Sequence, residues 1–311
     1  MVNYHILLYH GVHGDDVNLG GRNSSGKHIS QSRFYQEMDH LARNRPIITM
    51  NQIANAMRGK ADIPDGAVAI TLDDGYLNNY TEAWPILQEL NVPATIYLAT
   101  GFIGTGRMMW TDHLEASILG ASQPKIDLRI KDLSIVYDTS SEAERIDAFL
   151  KIKSMCKAAP NTLKDQIISG LDDTLGDSHH KEHPLYTFMD WDHVREMDAS
   201  HLIEFGAHTV DHVSLAKVSP EEMCNQIDRS VSKVTSKLGH ACHFFSYPEG
   251  QADDFDDRVI SHLLNQGFDH APTAIEGTNQ FPGTNPFHLF RTMVGFEGRP
   301  YPFNSVSEKA S

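Results

Sequence analysis

Cysteine is scarce in this chain: Cys156, Cys224 and Cys242 are the three in 311 residues. The number is odd and the spacings match no metal knuckle, so neither a disulfide framework nor a structural zinc knuckle underlies the fold. Reduced, packed thiols in a reducing compartment are the expectation. Positive charge is also short. Against 41 Asp and Glu stand 26 Lys and Arg, a formal net charge of −15. Such a surface keeps a protein soluble and repels phosphate backbones, which argues against nucleic acid as a partner. No stretch reaches the roughly 20 apolar residues of a membrane span. Residues 1–10 lack a basic n-region, and their apolar run is short and interrupted by His5. They read as the start of a cytoplasmic chain and not as a signal peptide. There is no dinucleotide fingerprint, which disfavours an open Rossmann-type sheet, and no internal repeat is visible.

What the chain does have is a recurrence of short apolar runs between helical patterns. Strand patterns fall at 4–9, 67–72, 94–99, 203–207, 243–247, 268–271 and 288–294. Helical patterns fall near 32–44, 50–58, 80–90, 190–198, 220–238 and 255–266. Strands alternating with helices imply βα units and a mostly parallel sheet, and this number of strands favours an α/β barrel. The helix at 220–238 is well marked: Ser219 at the N-cap, Pro220 at the first position, Glu222 to close a capping box and Gly239 just past the end. Residues 113–187 break the alternation. They read as a hairpin turning at Lys131-Asp132, helices at 141–158 and 161–171, and a polar loop at 176–183. This is expected to be an α+β insertion inside a single domain spanning 1–311. It has the length to cover one side of a site, to serve as a dimer contact, or to be padding. The tail 305–311 reads as frayed.

The chemistry concentrates in Thr71-Leu72-Asp73-Asp74-Gly75, which follows the buried-strand run Ala67-Val68-Ala69-Ile70. Two adjacent carboxylates at the end of a hydrophobic strand repel one another and lose solvation, so they need a cation or a shared proton. Side chains alternate in direction along extended backbone, so one Asp can face a metal while the other faces a substrate. The partner ligands are His208 and His212, in His208-Thr209-Val210-Asp211-His212, again after a strand pattern. Their four-residue spacing suits a helical turn that presents both imidazoles on one face. Asp74, His208 and His212 would leave open positions on a divalent ion. Zinc is the commonest occupant of such a set, and cobalt, nickel or iron(II) fit it as well. The chain has 18 histidines, so position carries more weight than presence. His179, His180 and His183 lie in a polar loop and read as surface.

Thr71-Leu72-Asp73-Asp74-Gly75 together with His208-Thr209-x-x-His212 resembles the first two motifs of the polysaccharide deacetylase family, carbohydrate esterase family four. Tyr9-His10-Gly11-Val12, Trp84-Pro85-Ile86-Leu87, Phe205-Gly206-Ala207 and Tyr247-Pro248-Glu249-Gly250 extend the resemblance along nearly the whole chain. It implies a distorted (β/α)7 barrel and metal-dependent removal of acetyl groups, usually N-linked and sometimes O-linked, from sugars. It implies Asp73 as general base, Asp74, His208 and His212 as metal ligands, and the Tyr247 backbone N–H as an oxyanion donor. Arg291 resembles the arginine that orients the base where the third motif lacks its own. Two departures stand out. Leu72 replaces the usual Phe, and no Leu-x-His supplies a general acid. His10, which ends the first strand, and His288 are the two candidates for that role. The expected partner is an acetylated sugar or oligosaccharide, an intermediate of a surface glycan; a homo-oligomer is compatible with the sequence. Two rivals remain: a metal-independent amidohydrolase of a cyclic amide or ureide, and a non-catalytic glycan-binding protein.

Overall fold

The structure is a computed structural model that describes residues 1–130, 133–175 and 183–303. The Lys131-Asp132 turn, His179 and His180 of the polar loop, and the tail 305–311 lie outside the described residues. In chain order the strands are β1 (Val2–Tyr9), β2 (Gly11–His13), β3 (His28–Ser30), β4 (Ala67–Asp74), β5 (Ala94–Leu98), β6 (Lys125–Ile130), β7 (Leu133–Asp138), β8 (Ile203–Ala207), β9 (Asn279–Phe281) and β10 (Thr292–Met293). The helices are α1 (Gln31–Asn44), α2 (Met50–Met57), α3 (Trp84–Leu90), α4 (Trp110–Leu119), α5 (Glu142–Ala158), α6 (Asn161–Leu175), α7 (Trp191–Ala199), α8 (Pro220–Leu238) and α9 (Asp257–Asn265).

The chain divides into two compact units. The first holds residues 1–16, 25–107 and 188–311. Its sheet runs β10-β1-β4-β5-β8, all parallel, with β9 antiparallel against the start of β1. Beyond β8 the wall continues through isolated contacts. Ala207 bridges to Phe245, Gly250 O accepts from Ala274 N at 2.9 Å, and Pro272 bridges to Leu289. The run expected as a strand at 243–247 is therefore reduced to the bridge at Phe245, 268–271 holds no strand and the bridge beside it falls at Pro272, and 288–294 is a strand only at Thr292–Met293, with a bridge at Leu289. Pro248, Pro272 and Pro286 fall in or beside these runs, and each removes the N–H that a ladder needs. This half of the wall is what distorts the barrel.

Local chemistry sets the elements that carry the site. Every residue of β4 is buried, so its apolar first half pulls the strand into the core and delivers Asp73 and Asp74 to its C-terminal end. Ser219 caps α8 and Gly239 ends it at φ 77°. Glu222 does not close a capping box; its Oε1 accepts from Gln226 Nε2 at 2.9 Å instead. The helix expected at 80–90 begins as a π turn, Asn79–Ala83, before α3.

The second unit holds residues 17–24 and 108–187. Thus the stretch expected as a 113–187 insertion starts at Met108 and includes a short earlier segment. It has its own core, in which Ile126, Leu128 and Ile135 of the β6–β7 hairpin meet Phe149 and Ile152 of α5 and Ile167 and Leu171 of α6. The expected alternation of apolar and polar residues in β6 is what puts Ile126 and Leu128 on one face.

One buried histidine in the first unit makes stability pH-dependent. His270 Nε2 donates to Met50 O at 3.2 Å. Burial lowers its pKa from the usual 6.5 to about 4. Between those values the unfolded chain takes up a proton that the folded protein refuses. Stability supplied by the neutral ring is therefore present above pH 6.5 and lost as pH falls toward 4, at on the order of 1 kcal/mol per pH unit. Urea midpoints of the metal-free protein should fall from pH 7 to pH 5, with a shallower fall in His270→Gln. Equal slopes in the two proteins would remove His270 from the account.

Candidate active site

Asp73 and Asp74 end β4 beside Tyr97 and Leu98 of β5. Asp74 has φ 81° and Gly75 φ 89°. A left-handed aspartate is uncommon and marks a turn held in place by its surroundings. Gly75 suits this place because its φ is left-handed, and a Cβ there would also press on the Leu98 side chain, 2.7 Å from its Cδ2.

Asp73 faces Arg291. Two parallel bonds of 2.8 Å join the guanidinium to both carboxylate oxygens. Arg291 is fully buried and is itself held by Thr273 O at 2.6 Å and Thr71 Oγ1 at 3.3 Å. Burial opposes ionisation of Asp73, but Arg291, His208 and His10 outweigh it and lower its pKa. Asp74 turns elsewhere. Its Oδ2 lies 3.2 Å from Lys27 Nζ, and its Oδ1 lies 3.4 Å from His212 Nε2 and 3.8 Å from His208 Nε2. Burial again opposes the charge, and Lys27, His212, His10 and His208 hold the carboxyl well below the ordinary range. The neighbouring aspartates thus have different cations, Arg291 and Lys27, and share His208, whose Nε2 is 3.8 Å from Asp73 Oδ2 and 3.8 Å from Asp74 Oδ1.

His208 is buried, with Nδ1 2.9 Å from Ser246 O and 2.7 Å from Ser246 Oγ. Donation from Nδ1–H to the carbonyl fixes the tautomer and leaves Nε2 as a free base toward the carboxylates. The two imidazole rings are 4.9 Å apart at 64°. The expected helical turn is absent. Thr209 (φ 63°) and His212 (φ 53°) are both left-handed, and the segment is a loop. It hangs from Thr100 N and Gly101 N, which donate to Thr209 O and Val210 O at 3.0 and 2.8 Å.

Gln226 of α8 secures that loop. Its Oε1 accepts from Val210 N and Asp211 N at 3.0 and 2.9 Å, and its Nε2 donates to Asp211 Oδ2 at 2.9 Å. The sequence motifs do not point to Gln226. The available signal is a polar residue in the buried stripe Met223, Gln226, Ile227, Ser230 and Val234. Gln226→Leu leaves two backbone donors unpaired beneath the ligand loop. Zinc affinity, read by calorimetric titration, should fall about 10- to 100-fold while the far-ultraviolet dichroism is kept. Unchanged affinity would reduce Gln226 to packing. Lys27 was also missed: it comes from a distant loop, reaches the Tyr76 hydroxyl, and lies 4.6 Å from that ring.

His10 follows β1. Asn79 Nδ2 donates to its carbonyl at 2.7 Å, and its ring stacks on Phe296 at 5.5 Å. Its Nδ1 is buried without a hydrogen-bond partner among the described residues. Burial, helped by Lys27 and opposed by Asp74 and Asp73, lowers its pKa to about 4. His10 is close enough to both carboxylates for its ionisation to be coupled to theirs. His288 closes a short turn and packs on Phe255 at 5.3 Å. The structure thus brings His10 to the carboxylates and places His288 beside Phe255. The Tyr247 ring belongs to the core, stacked on Phe255 at 4.1 Å with its hydroxyl on Phe287 O. Its N–H follows Ser246, the residue that orients His208, and donates to no described group.

The residues fit a divalent ion. Asp74, His208 and His212 each offer one donor atom, all within 4.8 Å of one another, and no other such group of three occurs among the described residues. Asp74 Oδ1 is buried with no hydrogen-bond partner among the described residues, an acceptor left for an ion. Ligand distances of about 2.1 Å imply donor separations near 3.4 Å in a tetrahedral site, and the His212–Asp74 separation is 3.4 Å.

Three residues that could hold a metal ion lie beside an arginine-held carboxylate at the strand ends of an α/β barrel, an arrangement suited to metal-assisted hydrolysis. The family model for polysaccharide deacetylases matches residues 60–271, and the chain belongs to that family. Its fold is shared with a Streptococcus pyogenes deacetylase, PplD in complex with acetate, at TM-score 0.61, 15% identity and coverage of 96% of this chain and 95% of that one. IcaB from Ammonifex degensii superposes with TM-score 0.61, 20% identity and coverage of 94% and 92%. In sequence, 47 residues are 45% identical to the poly-beta-1,6-N-acetyl-D-glucosamine N-deacetylase of Escherichia coli strain K12. That match spans 15% of this chain and 7% of the relative. Membership and the shared fold give the chain the α/β barrel of the polysaccharide deacetylases, of the (β/α)7 kind.

Proposed function

We propose that this protein removes N-acetyl groups from an amino-sugar glycan by metal-assisted hydrolysis, with Asp73 as general base and Asp74, His208 and His212 as ligands. The observation that carries the reading is the pairing of an orphaned Asp74 Oδ1 and two imidazoles with an Asp73 ionised by Arg291. A divalent ion held there supplies Lewis acidity toward the acetyl carbonyl and makes a nearby water more acidic. Asp73, anionic and held in one orientation by two bonds to Arg291, takes the proton of that water. The Tyr247 N–H is a fixed donor for the oxygen that becomes negative. His10 is neutral at rest. It passes the proton from Asp73 to the leaving nitrogen when negative charge develops beside it. His288 is not needed. Zinc is the metal proposed, from the mixed carboxylate and imidazole donors.

The substrate proposed is an oligosaccharide or precursor bearing N-acetylglucosamine, an intermediate of a surface glycan. The short match to the Escherichia coli deacetylase supports that choice. A reducing, cytoplasmic compartment is part of the proposal, supported by three free cysteines. No helix among the described residues is long and apolar enough to cross a membrane. The test is acetate release, with matching appearance of free amine, from β-1,6- and β-1,4-linked N-acetylglucosamine oligomers by zinc-loaded protein. Hydrolysis of a cyclic imide without metal, or binding of oligomers without acetate release, would replace this reading by one of its rivals.

A further inference from the structure

A second set of reactive side chains lies on α8 and α9. Cys224 and Asp228 are four residues apart on α8, one above the other on the same face. His262 of α9 sits against both. Its Nδ1 is 3.5 Å from Cys224 Sγ, and its Nε2 is 2.6 Å from Asp228 Oδ1. Asp228 Oδ1 also accepts from Gln266 Nε2 at 3.2 Å, which steadies the carboxylate. A carboxylate on Nε2–H leaves Nδ1 as the basic nitrogen, and that nitrogen faces the thiol. This is the order of groups that activates a sulfur nucleophile: thiol, base, and an acid that orients the base. The set is open to small molecules, since Cys224 is partly exposed and the His262 and Asp228 side chains are 19% and 45% exposed.

The other two cysteines make the contrast. Cys156 and Cys242 are buried, and burial pushes both thiols up to about 11. Neither has a histidine partner among the described hydrogen bonds. Nor can Cys242 close a disulfide with Cys224. Its N–H donates to Thr235 Oγ1, a position on the order of 15 Å along the helix from Cys224, while a disulfide needs Cα atoms within about 7 Å.

We infer that Cys224, with His262 and Asp228, is a thiol modification site that takes small disulfides and holds the product as a mixed disulfide. The Cys224 proton passes to His262 Nδ1. The sulfur attacks one sulfur of the small disulfide, a new S–S bond forms and the old one breaks. The departing sulfur takes the proton from His262 and leaves as a thiol. Cys224 is oxidised and the departing sulfur is reduced, so the exchange needs no further reagent. With Cys242 out of reach, the adduct stays until an external thiol removes it.

The probe is glutathione disulfide at pH 7, with the full-length protein, intact mass and peptide mapping. Wild type should gain one adduct, on Cys224, while Cys156 and Cys242 stay unmodified. His262→Gln should slow the reaction at least about tenfold, and Asp228→Asn by a smaller factor. Melting curves establish that the variants fold. A measurement on wild type alone guards against their failure: Cys224 should react faster in the folded protein than in the urea-unfolded chain. Equal rates in wild type and His262→Gln, a folded-state rate no higher than the unfolded one, or earlier modification of Cys156 or Cys242 would overturn the inference.

Discussion

Asp73→Asn is expected to bind a divalent ion as the wild type does and to lose at least about a hundredfold in turnover, up to about ten-thousandfold. The change keeps the side chain's shape, replaces one of the two acceptors for Arg291 by an amide donor, and removes the base. The proposed ligand atoms are Asp74 Oδ1, His208 Nε2 and His212 Nε2; Asp73 is held by two bonds to Arg291, with its Oδ2 3.8 Å from His208 Nε2. Steady-state rates on N-acetylglucosamine oligomers and metal titrations on the same preparations separate the two effects. A variant with near-normal turnover would remove Asp73 as the base. One that also lost its metal would move Asp73 into the ligand set.

The second large effect belongs to Arg291. Its side chain is fully buried and is clamped to Asp73 by two bonds of 2.8 Å. Arg291→Met strands a buried carboxylate, at a cost of about 3–5 kcal/mol when one partner of such a pair is removed. The direction of the Asp73 titration reverses as well. With the guanidinium gone, burial is left as the leading influence and drives the pKa upward. Turnover at neutral pH should fall toward that of Asp73→Asn and recover in part as pH rises. Combining the two changes should return part of the lost stability without activity, because the stranded charge is gone. Urea unfolding of the two single variants and the double variant checks this. A double variant whose losses simply add would show that the pair is not coupled.

Much of the site was legible because local chemistry forces it. A run as apolar as Ala67 to Leu72 has to be buried, and a pair of aspartates at its end has to find cations. The same logic made His208 legible, since it follows the buried Phe205-Gly206-Ala207 end of β8. The conformation of the ligand loop was not legible. A spacing of four is shared by a helical turn and by a loop with two left-handed residues. What decides for the loop is Gln226, which accepts from two of its N–H groups. Lys27 is remote in sequence and carries no pattern. Arg291 was found through family resemblance alone, because a lone arginine after an apolar pair has no local signature. The sequence left His10 and His288 open as general acid; His10 is the one proposed because it couples electrostatically to both carboxylates, whereas His288 packs on Phe255. The far side of the barrel was overread, since runs rich in aromatics and flanked by proline have strand composition but not a strand's full set of donors.

The central claim is that Asp74, His208 and His212 hold one divalent ion. The direct measurement is metal content per chain by elemental analysis, on wild type and His212→Ala prepared side by side with added zinc. The account predicts about one ion per wild-type chain and little in the variant, because two ligands remain where three are needed. Equal metal in both proteins, or none in the wild type after zinc is supplied, would contradict it.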